Sequence, residues 1–418
     1  MEKKLLLITI LFFITTIHGT HDTEVTAMQK ANIANNFIAT GELKKALFLY
    51  TDIIKEIPNN ADIWHNIGYV CKLLAKPKHA LCAYKKSIAL NPQHKYTPLG
   101  LAKAHLMLGQ FKKGWEYFEY RYQNVEKYKQ KKMDLSSFAG KHIIILSEWG
   151  LGDTIQFVRY VKKIKELGAK SITVSTPKPL IPLFSTCPYI SKAIPKDQVI
   201  KTMYDIQIPI LSLPFLFDTI EKTIPTPIPY MYAAPHLINY WKQTLQKDTN
   251  IKVGLCWHAK PIPLEKHPLT RRSIPLAQFS VLSEVPGITF YSLQQIYGTE
   301  QLENLPQGFI VKSFSEDFDK THGRFMDTAA VIKNLDLVIS VDTSIVHLSG
   351  ALGTNTWVLI PSTPEWRWML DREDSPWYPN NMRLFRRGKD KDWNTIMVKV
   401  AKQLNIFVKN HTKNKGYR

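Results

Sequence analysis

The feature that most constrains this chain is a repeat of 34 residues. Blocks beginning at Ala27, Ala61 and Lys95 follow one another without gaps. Their eighth positions are Ala34, Gly68 and Ala102, and their fifteenth are Gly41, Ala75 and Gly109. The twentieth are Ala46, Ala80 and Gly114, and the twenty-fourth are Tyr50, Tyr84 and Phe118. Small side chains let two helices approach closely, and one aromatic per block fills the gap between them. Pro58 and Pro92 close the first two blocks, where a fixed φ and a missing amide proton end a helix. A unit of this kind cannot bury its apolar face alone, so the blocks must stack.

These positions closely resemble the tetratricopeptide repeat, a helix-turn-helix unit. The resemblance implies three repeats over residues 27–128, forming a short superhelix whose groove would bind a protein or peptide. So short an array can instead simply dock on the next domain and stiffen it. The third block lacks the closing proline and grades into a charged linker over 124–132.

Beyond that linker the pattern changes. His142–Leu146 is a continuous apolar run, followed by the turn Ser147-Glu-Trp-Gly-Leu-Gly-Asp153, a helical pattern from Thr154 to Leu167, and a strand at Ser171–Ser175. Strand, glycine turn, helix and strand in that order open a parallel βαβ sheet. Pro225, Pro227 and Pro229 suggest a hinge. A second unit starts at Lys252–Trp257 and continues through strands at Ile288–Leu293, Leu337–Val341 and Thr356–Ile360, with helices near Thr328–Lys333 and at Ser344–Leu352. The predicted class is therefore α plus α/β: helical repeats, then two Rossmann-like halves at 140–232 and 250–405, then a basic tail at 406–418. At about 150 residues per domain, 418 residues accommodate this plan. Two such halves leave a cleft where the carboxyl ends of their strands meet.

Several strings could carry chemistry there. Gly150 and Gly152 allow backbone amides near a ligand, and Asp153 could either cap its helix or accept a proton from a substrate hydroxyl. After Val341, the residues Asp342, Thr343 and Ser344 open a helix whose amides and dipole suit a diphosphate. His347, one turn on, could reach the same phosphate or be a satisfied core histidine. Arg271, Arg272 and Ser273 suit oxyanion recognition, with a solvated charge pair as the ordinary alternative. Trp366, Arg367 and Trp368, then Trp377 and Tyr378, could stack on a base or sugar ring or belong to the core. Asp317 and Asp319 read as a solvated turn rather than a metal site, and Asp327 as a helix cap. No P-loop, zincin or α/β-hydrolase string occurs.

Taken together, Gly150-Leu-Gly-Asp-Thr-Ile-Gln-Phe-Val-Arg-Tyr160, Asp327-Thr-Ala-Ala330, Leu335–Thr343 and His347–Gly353 resemble bacterial tetratricopeptide-repeat proteins with a heptosyltransferase-like domain of glycosyltransferase family 9. Pro364–Trp368 and Ser375–Tyr378 fit the same group. The protein O-GlcNAc transferases are similar in architecture, joining such repeats to a double Rossmann (GT-B) module. The resemblance implies an inverting, metal-independent transferase using a nucleotide sugar as co-substrate and no other cofactor. It implies Asp153 as general base. It also implies Asp342, Thr343, Ser344 and His347 at the donor diphosphate; Gly150, Gly152, Trp257, Arg271, Arg272 and Ser273 are the further donor-binding candidates, and Gln156, Trp366, Arg367 and Trp368 are candidates for acceptor or ring contacts. A protein or a glycan would be the acceptor. The chain differs from the family in carrying Ser344 where heptosyltransferases usually have glycine. It also has His258-Ala-Lys260 where repeat-bearing relatives have a small residue followed by Gly-Asn.

Two further features bear on setting. Met1-Glu-Lys-Lys followed by an apolar run from Leu5 to Ile17 has the form of a secretory signal or an uncleaved membrane anchor. Nucleotide sugars are cytosolic, so an active transferase calls for an anchor with the catalytic domain on the cytoplasmic side. A non-catalytic adaptor with a degenerate sugar- or nucleotide-binding module is the alternative. The net charge of +20 favours anionic partners. Its spread along the chain, however, makes nucleic acid the least favoured of them.

Overall fold

The computed structural model describes residues 21–122, 133–201, 203–226, 228–261, 270–388 and 392–415. The leader at 1–20, the linker at 124–132, Pro227 of the hinge and the last three residues of the basic tail lie outside these. Among the described residues no helix is long and apolar enough to cross a membrane.

The chain opens with three helix pairs: α1 (His21–Thr40) with α2 (Leu43–Glu56), α3 (Ala61–Leu73) with α4 (Pro77–Leu90), and α5 (Thr97–Met107) with α6 (Phe111–Phe118). The small positions of the repeat are sterically required. The Tyr84 ring lies between Gly68 and Gly100, and a Cβ on either glycine would come within 2.6 Å of it. Gly114 stands in the same relation to Leu106. The fifteenth position does a different job from the one its smallness suggested. Gly41, Ala75 and Gly109 sit at φ of 92°, 52° and 71°, in the turns between paired helices. There the left-handed backbone, rather than close helix packing, selects a small residue.

The α/β half holds two all-parallel sheets. The first has β1 (His142–Leu146), β2 (Ser171–Thr176), β3 (Lys192–Pro195) and β4 (Ile206–Pro209) in the order β3-β2-β1-β4. Its helices are α7 (Leu151–Phe157), α8 (Tyr160–Glu166) and the short α9 (Ile181–Phe184) and α10 (Leu213–Leu216). The single helix expected over 154–167 is therefore two. The interruption falls at Arg159, whose buried guanidinium donates to the carbonyls of Pro225 (2.8 Å) and Trp377 (2.5 Å).

After α11 (Pro235–Leu245), the second sheet comprises β5 (Ile251–Cys256), β6 (Ile288–Ser292), β7 (Val311–Lys312), β8 (Leu337–Val341), β9 (Thr356–Ile360) and β10 (Met382–Arg386), in the order β10-β9-β8-β5-β6-β7. Helices α12 (Met326–Lys333), α13 (Ser344–Leu352) and α14 (Trp393–Lys415) accompany it. The segment from 406 to 415 continues α14 instead of starting a separate tail, and Leu404 anchors this helix in the core behind β5, β8 and β9.

The larger core does not respect the domain plan. One apolar cluster runs from Leu106, Phe111, Trp115 and Phe118 of the third helix pair through Ile145 and Phe157 of the first lobe to Trp366, Trp368, Trp377 and Tyr378 of the second. The third repeat is thus packed into the α/β module.

Candidate interlobe site

The two βα turns of interest follow β1 and β8. In the first, Trp149 takes φ 44°, a costly conformation for a bulky residue, and leaves its ring 45% exposed against Phe118 and the Lys103 ammonium. Gly150 and Leu151 then lead into α7. The Asp153 carboxylate turns back so that Oδ2 accepts from Gly150 N–H at 3.0 Å. In the second turn Thr343 is the N-cap of α13, its hydroxyl accepting from Ile345 N–H at 3.3 Å. The other first-turn amides have no acceptor within the helix, as geometry requires at any helix start.

Helices α7 and α13 touch. A Cβ on Gly152 would lie 2.7 Å from His347 Cδ2 and 3.5 Å from Ser344 Cα, so only glycine permits this approach. Arg367, from the loop after β9, spans the junction. It donates to Asp153 Oδ1 at 2.5 Å and to Gln156 Oε1 at 2.6 Å, and it lies 3.5 Å from His347 Nε2. An arginine cannot accept, so Nε2 is the lone-pair nitrogen and Nδ1–H donates to Tyr378 Oη at 2.8 Å. Gln156 Nε2 and Arg367 Nε are buried without a hydrogen-bond partner among the described residues.

Charge is concentrated here. Burial raises the carboxyl pKa of Asp342, opposed by Arg272 and Arg367. Burial also holds His347 well below the ordinary imidazole range, reinforced by Arg367, Arg272 and Arg159, so the ring is neutral. For Arg367 burial works against the charge, but Asp153, Asp342 and Glu365 outweigh it and keep the guanidinium protonated. Glu365 is held down to about 2, first by Lys103 and further by Arg367, Lys72 and Arg272, against a burial effect in the other direction. Two of those cations come from the helix pairs, so the repeats contribute to the electrostatics of the cleft mouth.

The structure brings Gly150, Gly152, Asp153, Gln156, Asp342, Thr343, Ser344, His347 and Arg367 into one junction. Arg272 joins them by donating to the Asp342 carbonyl at 3.1 Å. Arg271 is exposed on the rim, and Ser273 Oγ accepts from Ala259 N–H at 3.0 Å, fixing the loop after β5.

Expectations for Trp257, Trp366, Trp368, His347, Asp319 and Asp327 are corrected. Trp257 is fully buried, its indole donating to Gly298 O at 3.0 Å, and it belongs to the core of the second lobe. Trp366 packs edge-on against Trp115, and Trp368 stacks on His347, so neither offers a free face to a ring. His347 is a satisfied core histidine, bonded to Tyr378 and stacked on Trp368. Asp319 is no solvated residue: it is buried and caps α12 through Thr328 N–H and Oγ1. Asp327 accepts from Trp241 Nε1 and Asp319 N–H instead of capping.

Sequence reasoning passed over Lys72, Lys103 and Glu365, whose meeting depends on the docking of the repeats. It also missed Gln294, whose amide receives Trp257 N–H and His258 N–H and so shapes the loop after β5. No local pattern signals any of them. Among the described residues no group of histidines, cysteines and acids could hold a metal ion.

No family model matches the chain. It is 24% identical over 397 residues to protein FlbA of Caulobacter vibrioides, covering 88% of this chain and 65% of that relative, so the chain spans under two thirds of the relative's length. Among solved structures, ADP-heptose LPS heptosyltransferase II of E. coli aligns at TM-score 0.47 and 15% identity, over 65% of this chain and 99% of that one. A family 9 glycosyl transferase from Veillonella parvula aligns at 0.46 and 13% identity, over 64% and 91%. An O-GlcNAc transferase of Thermobaculum terrenum aligns at 0.25 and 10% identity, over 83% and 84%.

Proposed function

We propose that the chain is an inverting, metal-independent glycosyltransferase. It takes a sugar from a nucleotide-sugar donor and passes it to a hydroxyl of a protein or glycan, with tetratricopeptide-type repeats presenting the acceptor. In this reading the leader anchors the protein with its catalytic lobes on the cytoplasmic side. The observation that carries the reading is the direct apposition of Asp153, on one lobe, with the first turn of α13 on the other, bridged by Arg367.

In the reaction, Asp153 removes the proton of the acceptor hydroxyl. The oxygen attacks the anomeric carbon from the side opposite the nucleoside diphosphate, the bond from that carbon to the phosphate oxygen breaks, and configuration inverts. The leaving diphosphate keeps the electron pair. The first-turn amides of α13, with Arg272, receive its charge without reorganising. Arg367 links the two halves of the chemistry. While the two are paired, Oδ1 of Asp153 is occupied by the guanidinium and not free for an acceptor hydroxyl. A diphosphate competing for the same guanidinium releases the carboxylate, so donor binding and base activation are coupled. The unpaired Gln156 Nε2 and Arg367 Nε are donors available for that exchange.

The test is turnover across a panel of nucleotide sugars, for the parent and for Asp153→Asn. Loss of a general base lowers kcat by roughly 10²–10⁴-fold. Donor binding, read from thermal shift, is retained. Full turnover in Asp153→Asn would remove Asp153 from the mechanism. A second reading, a non-catalytic adaptor, draws support from the closed α7–α13 contact. It predicts measurable nucleotide-sugar binding with neither transfer nor hydrolysis for any donor.

A further inference from the structure

At the opposite end of the second sheet lies a cavity of about 300 Å³, walled by the first residues of β9 and β10 and by the carboxyl-terminal half of α14. The cleft is reached from the last residue of β8. A five-residue strand rises about 3.3 Å per residue, so the two places are roughly 17 Å apart along the sheet, and one ligand group cannot fill both. We propose that this cavity is a saccharide-binding site, separate from the transfer site and selective for uncharged sugars.

The lining supports this in three ways. Asn355, Asn380, Gln403 and Asn410 supply amides. An amide donates and accepts, which matches a sugar hydroxyl, itself both donor and acceptor, and Gln403, whose Oε1 is taken by Arg383, still offers its Nε2–H groups. Phe407 and the exposed Ile406 supply apolar surface for the C–H face of a pyranose, and Trp357 is buried behind them, edge to face with Phe407 at 5.9 Å. Finally, among the described residues no acid lines the cavity, and its cation, Arg383, is already committed. Arg383 donates to Gln403 Oε1 at 2.7 Å and to Glu373 Oε2 at 3.1 Å. In a chain with 55 lysines and arginines, a cavity without an uncompensated charge selects against phosphates and acids. The volume suits one or two sugar rings and excludes a folded peptide.

The site stands on its own geometry, whatever the cleft does. The experiment is saturation-transfer NMR on the full chain with cellobiose, lactose and N,N′-diacetylchitobiose, alongside a sulfated disaccharide as the charged control. The expected result is transfer to at least one neutral disaccharide. Affinity should fall by about tenfold or more in Asn355→Ala/Gln403→Ala, since the ligand's hydroxyls then lose their partners. The melting temperature and any sugar transfer should be unchanged. Tighter binding of the sulfated sugar, silence from all three neutral probes, or binding unaltered in the double variant would each overturn the proposal. Asn355→Ala alone, at an exposed position, serves if the double variant fails to fold.

Discussion

Two joints hold this molecule together, and they differ in how much polar structure they carry. Between the third repeat and the α/β half the joint is aromatic. Trp115 meets Phe157 at 6.2 Å, Trp366 at 5.3 Å and Trp377 at 6.3 Å, all nearly perpendicular. Even the indole N–H groups of Trp115, Trp366 and Trp377 find no acceptor among the described residues. Between the lobes the aromatic packing continues, Phe157 meeting Trp366 at 6.3 Å and Trp377 at 5.3 Å, but a polar junction of Arg367, Asp153, Gln156, His347 and Tyr378 is added to it, with Gly152 at a close approach. Burying rings is non-directional and costs much to undo. A buried ion pair gives back most of its attraction in desolvation. The first joint is therefore a permanent weld, and the polar part of the second can exchange one anion for another.

The strongest challenge to this contrast is Trp115→Ala. It should cost about 3–5 kcal/mol of global stability in urea unfolding, the range for emptying a large buried aromatic site. A loss under about 1 kcal/mol would mean the aromatic joint is not what unites the halves. Next is Gly152→Ala. The added methyl meets His347, which Trp368 backs, so the lobes must separate at a cost of about 1–3 kcal/mol. The same variant should bind nucleotide sugar no worse than the parent if opening the lobes admits donor. Weaker donor binding would mean the closed contact is itself part of the site.

The smallest effect concerns pH. His347 is neutral in the folded chain because its pKa is depressed, whereas in the unfolded chain it protonates near 6.5. Below about pH 6.5 the unfolded state binds the extra proton, so stability falls as pH falls, by up to about 1.4 kcal/mol per pH unit. His347→Gln should flatten that part of the urea-midpoint profile, and an unchanged slope would assign it to other groups.

The sequence showed most of the scaffold and little of the site's economy. Strands at His142–Leu146, Leu337–Val341 and Thr356–Ile360 and the helix Ser344–Leu352 were legible because buried parallel strands read as short apolar runs, and Thr343 is a strong cap. The edge strands β3, β7 and β10 were not legible: they are short or carry polar residues, and their pairing is decided by neighbours far along the chain. The same limit applied to side chains. Asp153, Gln156 and Arg367 each stood out singly, but that Arg367 bridges the other two across more than 200 residues is a property of lobe packing. Tryptophan misled most. The pattern Trp-Arg-Trp is identical whether its rings face a ligand or fill a core, and here they fill it.

The interior that the helix pairs share with both lobes sets a limit on dissection. Cleaving the chain after the third pair would strip Trp366, Trp377 and Phe157 of Trp115 and Phe111 and leave a wide sticky face on the excised fragment. Swapping the repeats for those of another protein would do the same. Any recombinant or evolutionary reassortment of this architecture has to carry its third pair along with the lobes, and the second pair is tied in as well, since Tyr84 packs on Gly100 and the Thr363 hydroxyl donates to the Leu73 carbonyl.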